Sequence, residues 1–188
     1  PMIDQYVKGE RAPMGDLMAW NADGTRMPAR MHTEYLYRLY LDNELATNRF
    51  PVGGRRVRLS DIRVPMFVVG TETDHVAPWK SVYKVDNLVR SDDFTFLLTS
   101  GGHNAGIVSG PVHPRRHYRM LTRALADPHM APEEWVEAAT KHDGSWWPAW
   151  QGWLEAHSGA RVKPPAMGAP RKGYAAIEDA PGSYVRQR

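Results

Sequence analysis

The chain has 188 residues, a formal net charge of +3 and no cysteine, so it is long enough for one domain with a real core and can form neither a disulfide nor a thiolate metal site. Its longest apolar run is only a strand long, which excludes a membrane-spanning helix. Residues 1–5 (PMIDQ) lack the basic and apolar regions of a secretory signal, and cytoplasmic residence is the default expectation. The basic residues are dispersed, with small clusters at Arg55, Arg56 and Arg58 and at Arg115 and Arg116. Such clusters read as solvated surface; the functional alternative is a site for an anionic ligand such as a nucleotide phosphate.

Three parts follow in chain order. Residues 1–60 read as helical, with a turn at residues 20–25 (WNADGT) and a helix begun at Pro28, on which Met31, Tyr35, Leu36, Leu39 and Tyr40 share one face. The glycine pair at 53–54 breaks that pattern, and residues 53–59 (GGRRVRL) suit a small hairpin. Residues 61–159 read as the end of an α/β sheet. Two short apolar runs, residues 64–70 (VPMFVVG) and 94–98 (FTFLL), predict buried strands, and a helix opened by Pro78 puts Trp79, Val82, Val85 and Leu88 or Val89 on the face that covers them. A parallel pair needs such a crossover. Pro132, Glu133 and Glu134 begin another helix, expected to end at Asp143 and Gly144, and Trp147, Trp150, Leu154 and His157 mark a last one, closed by Ser158 and Gly159. Two strands cannot bury their own faces and edges, so this part is expected to need strands from elsewhere and the chain to associate. Residues 160–188, rich in Pro, Gly and Ala, read as an extended arm or a mobile tail.

Each strand leads into a polar segment: residues 71–75 (TETDH) after the first and 99–103 (TSGGH) after the second. Open α/β sheets build their sites just past strand ends, so Asp74 and His103 are expected at one edge of the sheet with carboxylate and ring close together. An Asp followed by a His matches the last two members of an α/β-hydrolase triad, whose nucleophile comes first in sequence. No G-x-S-x-G elbow and no cysteine supply that nucleophile here. The bland alternatives are a loop-capping histidine and an Asp acting as helix N-cap ahead of Pro78. His113, His117, His129 and His142 form no coherent ligand set with the carboxylates, and no metal is expected.

Five strings, at residues 20–25 (WNADGT), 74–79 (DHVAPW), 100–106 (SGGHNAG), 144–150 (GSWWPAW) and 174–185 (YAAIEDAPGSYV), resemble in this order the C-terminal half of the polyhydroxyalkanoate synthases. The last of them resembles the C-terminus of the class I enzymes. The resemblance implies the C-terminal part of an α/β-hydrolase-like fold, with residues 1–60 as the remnant of a helical lid. It also implies an acyltransferase that polymerises (R)-3-hydroxyacyl-CoA and releases CoA, a substrate thioester that makes a separate cofactor unnecessary. By the same resemblance His103 is the base that activates a cysteine thiol, Asp74 either orients His103 or acts as base toward the substrate hydroxyl, and His75 supports the pair through hydrogen bonding. Trp20 and Trp79 could line the acyl channel, although core packing is the commoner fate of tryptophan. The tryptophans at 146, 147, 150 and 153 read as a helix clamped on the sheet.

The family's cysteine elbow lies upstream of everything present here. The resemblance therefore implies a fragment whose missing N-terminal half bears the nucleophile, inactive alone. Implied partners are hydroxyacyl-CoA, that N-terminal half, further copies of the chain and a polyester granule surface in the cytoplasm, with no nucleic acid. Two other classes remain: a depolymerase or thioesterase of the same fold, and a non-catalytic module that binds a granule or a partner.

Overall fold

The computed structural model describes residues 7–9, 15–22, 24 and 26–186. Helix α1 (Asp16–Ala22) takes in Trp20, so the turn expected over residues 20–25 starts later than predicted, and its Asp23 and Thr25 lie outside the described residues, as do residues 1–5. Pro28 precedes α2 (Ala29–Tyr35) and its carbonyl accepts the His32 N–H at 3.0 Å, as expected of a proline in a first turn. A π-helical turn, Leu36–Leu41, continues it. Met31, Tyr35, Leu36 and Tyr40 are exposed, whereas Leu39 is half-buried. The glycine pair does form a hairpin, over residues 51–56 rather than the expected 53–59: β1 (Pro51–Val52) and β2 (Arg55–Arg56) pair antiparallel around Gly53 and Gly54, whose φ angles of 55° and 78° suit a primed turn.

The two predicted strands are β3 (Met66–Thr71) and β4 (Phe94–Thr99), parallel and in register from Met66 opposite Phe94 to Thr71 opposite Thr99. Their crossover holds α3 (Trp79–Tyr83) and a 3-10 turn, Lys84–Asn87. The sheet has four strands, which corrects the expectation of two: β5 (His117–Arg123) and β6 (Thr140–Asp143) extend it antiparallel in the order β3-β4-β5-β6. Helix α4 (Pro132–Ala138) accordingly stops at Ala138, before the predicted Asp143, because residues 140–143 are needed as an edge strand. Neither added strand carries an apolar run. In β5, Arg119, Thr122 and Arg123 interrupt the hydrophobics, and β6 reads TKHD. Their pairing comes from the ladder beside β4 and from packing, a tertiary cause that local pattern does not contain. The whole is a mixed sheet with helices, an α/β fold.

Strand β4 is buried along its entire length, and alternate residues feed two cores. Phe94, Phe96 and Leu98 face Tyr83, Val89 and Trp135, with Trp79, Val82 and Val85 packed around them. On the other face Leu97 meets Tyr118 and Trp146, with Phe67, Val69 and Trp147 alongside. Complete burial of Phe94, Phe96 and Leu97 contributes roughly 1.5–3 kcal/mol for each side chain. Helix α5 (Trp147–Ala156) supplies the second layer and ends before Ser158 as expected. Strand β3 stays only half-buried over Met66–Val69, since it is an outer strand of this sheet.

The chain divides into two compact units. Tyr35–Arg161 holds the sheet; Pro1–Glu34 and Val162–Arg188 make up the other. In the latter, Ala169 and Tyr174 form an isolated antiparallel bridge, and the Glu178 carboxylate accepts the N–H and hydroxyl of Ser183 at 2.8 and 2.9 Å. Among the described residues no helix is long and apolar enough to cross a membrane.

Candidate active site

Because β3 and β4 are parallel and end level with each other, the segments that follow them leave the sheet at the same edge. Backbone bonds keep them together: Glu72 N–H donates to Thr99 O at 2.9 Å and Thr73 N–H to Gly101 O at 3.1 Å. Asp74 and His103 meet here. The ring nitrogen Nδ1 of His103 lies 2.9 Å from Asp74 Oδ2 and 3.2 Å from Oδ1. With Nδ1–H donating to the carboxylate, Nε2 carries the lone pair and is the basic atom.

The surroundings treat the two side chains differently. Asp74 is 8% exposed, and its Oδ1 also accepts the backbone N–H groups of Val76 and Ala77, both at 2.8 Å. The Thr71 hydroxyl donates to Oδ2 at 3.3 Å. The Ala77 N–H above all, with His103 and the Val76 N–H, holds the Asp74 carboxyl well below the usual carboxylate range despite its desolvation. These bonds close a turn ahead of α3, whose N-cap residue is Pro78; Asp74 itself is not the cap. His103 is 45% exposed, flanked by Gly102 and Asn104, and its ring opens toward solvent.

The other predicted site residues are spread out. His75 is exposed and, among the described residues, hydrogen-bonds to neither Asp74 nor His103. Trp79 packs inward, its ring centroid 6.4 Å from that of Phe96 and 6.3 Å from that of Trp135. Trp20 belongs to the other unit and is 62% exposed. A second carboxylate and imidazole, Glu72 Oε1 and His117 Nε2, lie 3.1 Å apart and join the end of β3 to the start of β5. Sequence reading passes over this pair because only the unpredicted strand β5 brings His117 to the edge. Among the described residues no three His, Asp or Glu side chains are grouped to hold a metal ion.

Comparison with known proteins gives one consistent answer. No protein-family model matches the chain. The poly(3-hydroxyalkanoate) polymerase subunit PhaC of Rhizobium etli is 40% identical over 186 residues, 99% of this chain and 28% of the relative. The protein of the same name from Rhizobium meliloti is 40% identical over 99% of this chain and 29% of its own length. That from Cupriavidus necator is 36% identical over 100% of this chain and 31% of its own. The chain thus spans about three-tenths of the length of the curated relatives it matches, in their C-terminal part.

Proposed function

We infer that this chain, a relative along its whole length of the C-terminal part of the poly(3-hydroxyalkanoate) polymerases, supplies the histidine base and carboxylate of a Cys-His-Asp acyltransferase that polymerises (R)-3-hydroxyacyl-CoA. The observation that carries this reading is the bond between His103 Nδ1 and a dehydrated, fully hydrogen-bonded Asp74, with Nε2 left open at the C-terminal edge of a parallel strand pair. In this reading the nucleophile is a thiol contributed by sequence other than these 188 residues, which contain no cysteine.

A free thiol, with a pKa of about 8.5, is mostly protonated at neutral pH, and His103 Nε2 would accept its proton as sulfur attacks the thioester carbonyl. The acyl group passes to the protein sulfur, and the departing CoA sulfur takes the proton back from the imidazolium. The bonding around Asp74 favours one of its two roles. Both oxygens are occupied by N–H and O–H donors, and a carboxylate held below the ordinary range is a weak base. Asp74 is therefore read as the group that orients and charge-stabilises His103, leaving the substrate hydroxyl to another base.

The same reading takes the sheet as the C-terminal part of an α/β-hydrolase-like fold and residues 1–60 as lid. The half-buried outer strand β3 and the exposed Met31, Tyr35 and Tyr40 support association with further sequence or further copies at a cytoplasmic granule. The test is a chimera in which this chain replaces the matching C-terminal part of the Cupriavidus necator polymerase. CoA release from 3-hydroxybutyryl-CoA should occur in the chimera, disappear with His103→Gln, and be absent from the 188-residue chain alone. Turnover by the chain alone, or a chimera indifferent to His103→Gln, would sink the reading.

A further inference from the structure

His103 rides on a segment with neither strand nor helix to hold it. Between the end of β4 and the start of β5, short turns of backbone bonds give it shape, among them Gly106 N–H to Gly102 O at 2.8 Å and Val108 N–H to Asn104 O at 2.9 Å. Four carbonyls of this loop accept side-chain donors, two of them from Arg116 at its far end and two from the tryptophans ahead of α5 and at its start. Arg116 donates through Nη2 to Ala105 O at 2.7 Å and through Nη1 to Ser100 O at 3.3 Å. Trp146 Nε1–H donates to Gly106 O at 3.0 Å and Trp147 Nε1–H to Ile107 O at 2.9 Å.

The two Arg116 bonds fall on either side of His103. The guanidinium lies flush against the loop backbone: a Cβ on Gly101, whose φ is 109°, would come within 2.6 Å of Arg116 Nη1. The loop is pressed onto the end of β3 in the same way, since a Cβ on Gly106 would lie 2.6 Å from Thr71 Cγ2, and Thr71 is the residue whose hydroxyl donates to Asp74. Among the described residues Arg116 forms no ion pair, and its Nε is buried without a hydrogen-bond partner. The guanidinium is thus turned onto the loop rather than outward, and its planar fork bridges two carbonyls.

We propose that Arg116 is a positioning residue, which fixes the reach of His103 to Asp74 by tying the Ser100 and Ala105 carbonyls together, with the Trp146 and Trp147 indoles as a second anchor. Its bearing on catalysis rests on the reading of His103 as base. The position of the ring can be read without turnover, so the two ideas can fail separately.

The test compares the 188-residue chain with Arg116→Gln and Arg116→Lys by nitrogen NMR of the imidazoles and by amide exchange. In Arg116→Gln, His103 should lose its single Nδ1–H tautomer, and the amides of Gly106 and Val108 should exchange about tenfold faster, the effect of one charge-assisted bond. Lysine reaches one carbonyl at a time and should fall between. His129, bonded to Asp86 elsewhere in the unit, should keep its signals. Unchanged His103 signals and exchange, or equal changes at His103 and His129, would overturn the proposal. Should Arg116→Gln fail to fold, Trp147→Phe removes one N–H while keeping most of the ring's bulk, and the same comparison applies at Ile107 and Val108. In the chimera, a fall in kcat at constant KM would tie the clamp to the chemistry; kcat unchanged while His103 loses its tautomer would leave the clamp standing and remove His103 as base.

Discussion

Two of the Asp-His pairs in the unit that holds the sheet are bonded through Nδ1 with almost the same geometry and opposite character. At one end, Asp74 Oδ2 lies 2.9 Å from His103 Nδ1. Elsewhere, Asp86 Oδ2 lies 2.7 Å from His129 Nδ1. Asp86 is wholly buried and also accepts from Arg123 Nε, while Arg123 Nη2 donates to the Asp86 carbonyl at 2.9 Å. His129 Nε2 is in turn 3.2 Å from Asn87 Nδ2, and the ring stacks on Tyr83 at 5.8 Å. That cluster joins the α3 crossover to the end of β5 and to the segment after it. In the first pair the carboxylate is equally well supplied with donors, yet among the described residues His103 Nε2 has no hydrogen-bond partner. An Asp-His contact is therefore no mark of a site by itself.

The largest expected difference separates the pairs by activity. In the chimera, Asp74→Asn should lower turnover by about 10²- to 10⁴-fold, the range for loss of a positioned acid-base function, with little change in melting. His129→Gln should leave turnover in place and lower stability. The opposite outcome in steady-state kinetics and thermal melts would exchange the roles assigned to the two pairs.

Stability should separate them in reverse. Asp86→Asn leaves the Arg123 guanidinium without its counter-ion in a site where Asp86 has no exposed surface, and removal of one partner from a buried ion pair costs about 3–5 kcal/mol. Denaturant titration should show that loss for Asp86→Asn and a much smaller one for Asp74→Asn. Equal losses would mean that the Asp74 carboxylate is as much a structural anchor as Asp86.

Acid should distinguish Asp74 from an ordinary carboxylate. Its folded-state pKa is depressed, so the stabilisation from ionised Asp74 is fully present above the unfolded value and disappears only as pH falls through the lower folded value. Carbon NMR of the side chain should find Asp74 still ionised at a pH where an exposed aspartate is half protonated. Protonation in step with free aspartate would show that the Ala77 and Val76 donors do not hold it, and would reopen its role as a base.

How far all this is legible in the sequence depends on where the cause lies. The runs at 64–70 and 94–98 announce β3 and β4 because nearly continuous apolar character suits strands covered by neighbours, and the level ends of a parallel pair bring the following Asp and His together. Strand β5 is hidden because Arg119 and Arg123 spend their heads on the Ala139 carbonyl and on Asp86, so charged residues occupy a sheet interior for reasons visible only in three dimensions. Arg116 is missed in the same way: as one of two adjacent arginines it reads as surface, and only the fold turns it onto the His103 loop. The tryptophans at 146 and 147 are legible as packing, but their N–H bonds to that loop are not.

The smallest expected effect concerns a third imidazole, His157, which follows α5. Its Nδ1 lies 2.8 Å from the Trp153 carbonyl and its Nε2 2.8 Å from Asp93 Oδ2, so both nitrogens face acceptors and the doubly protonated ring satisfies them best. The Trp153 carbonyl first, and then Asp93, raise its pKa against an opposing desolvation. A raised histidine contributes stability that is fully present below the unfolded pKa and lost as pH rises through the folded one, which is the reverse of Asp74. The stabilisation from this contact, which pins the end of α5 to the residue just before β4, should therefore weaken from about neutral pH upward. Because the ring stacks on Trp153 at a centroid distance of 4.2 Å, tryptophan fluorescence should report the change. His157→Gln should abolish that pH dependence without altering His103. A fluorescence titration unchanged by His157→Gln would show that the end of α5 is held by its tryptophan packing alone, and that neither Asp93 nor the charge on His157 has a part in it.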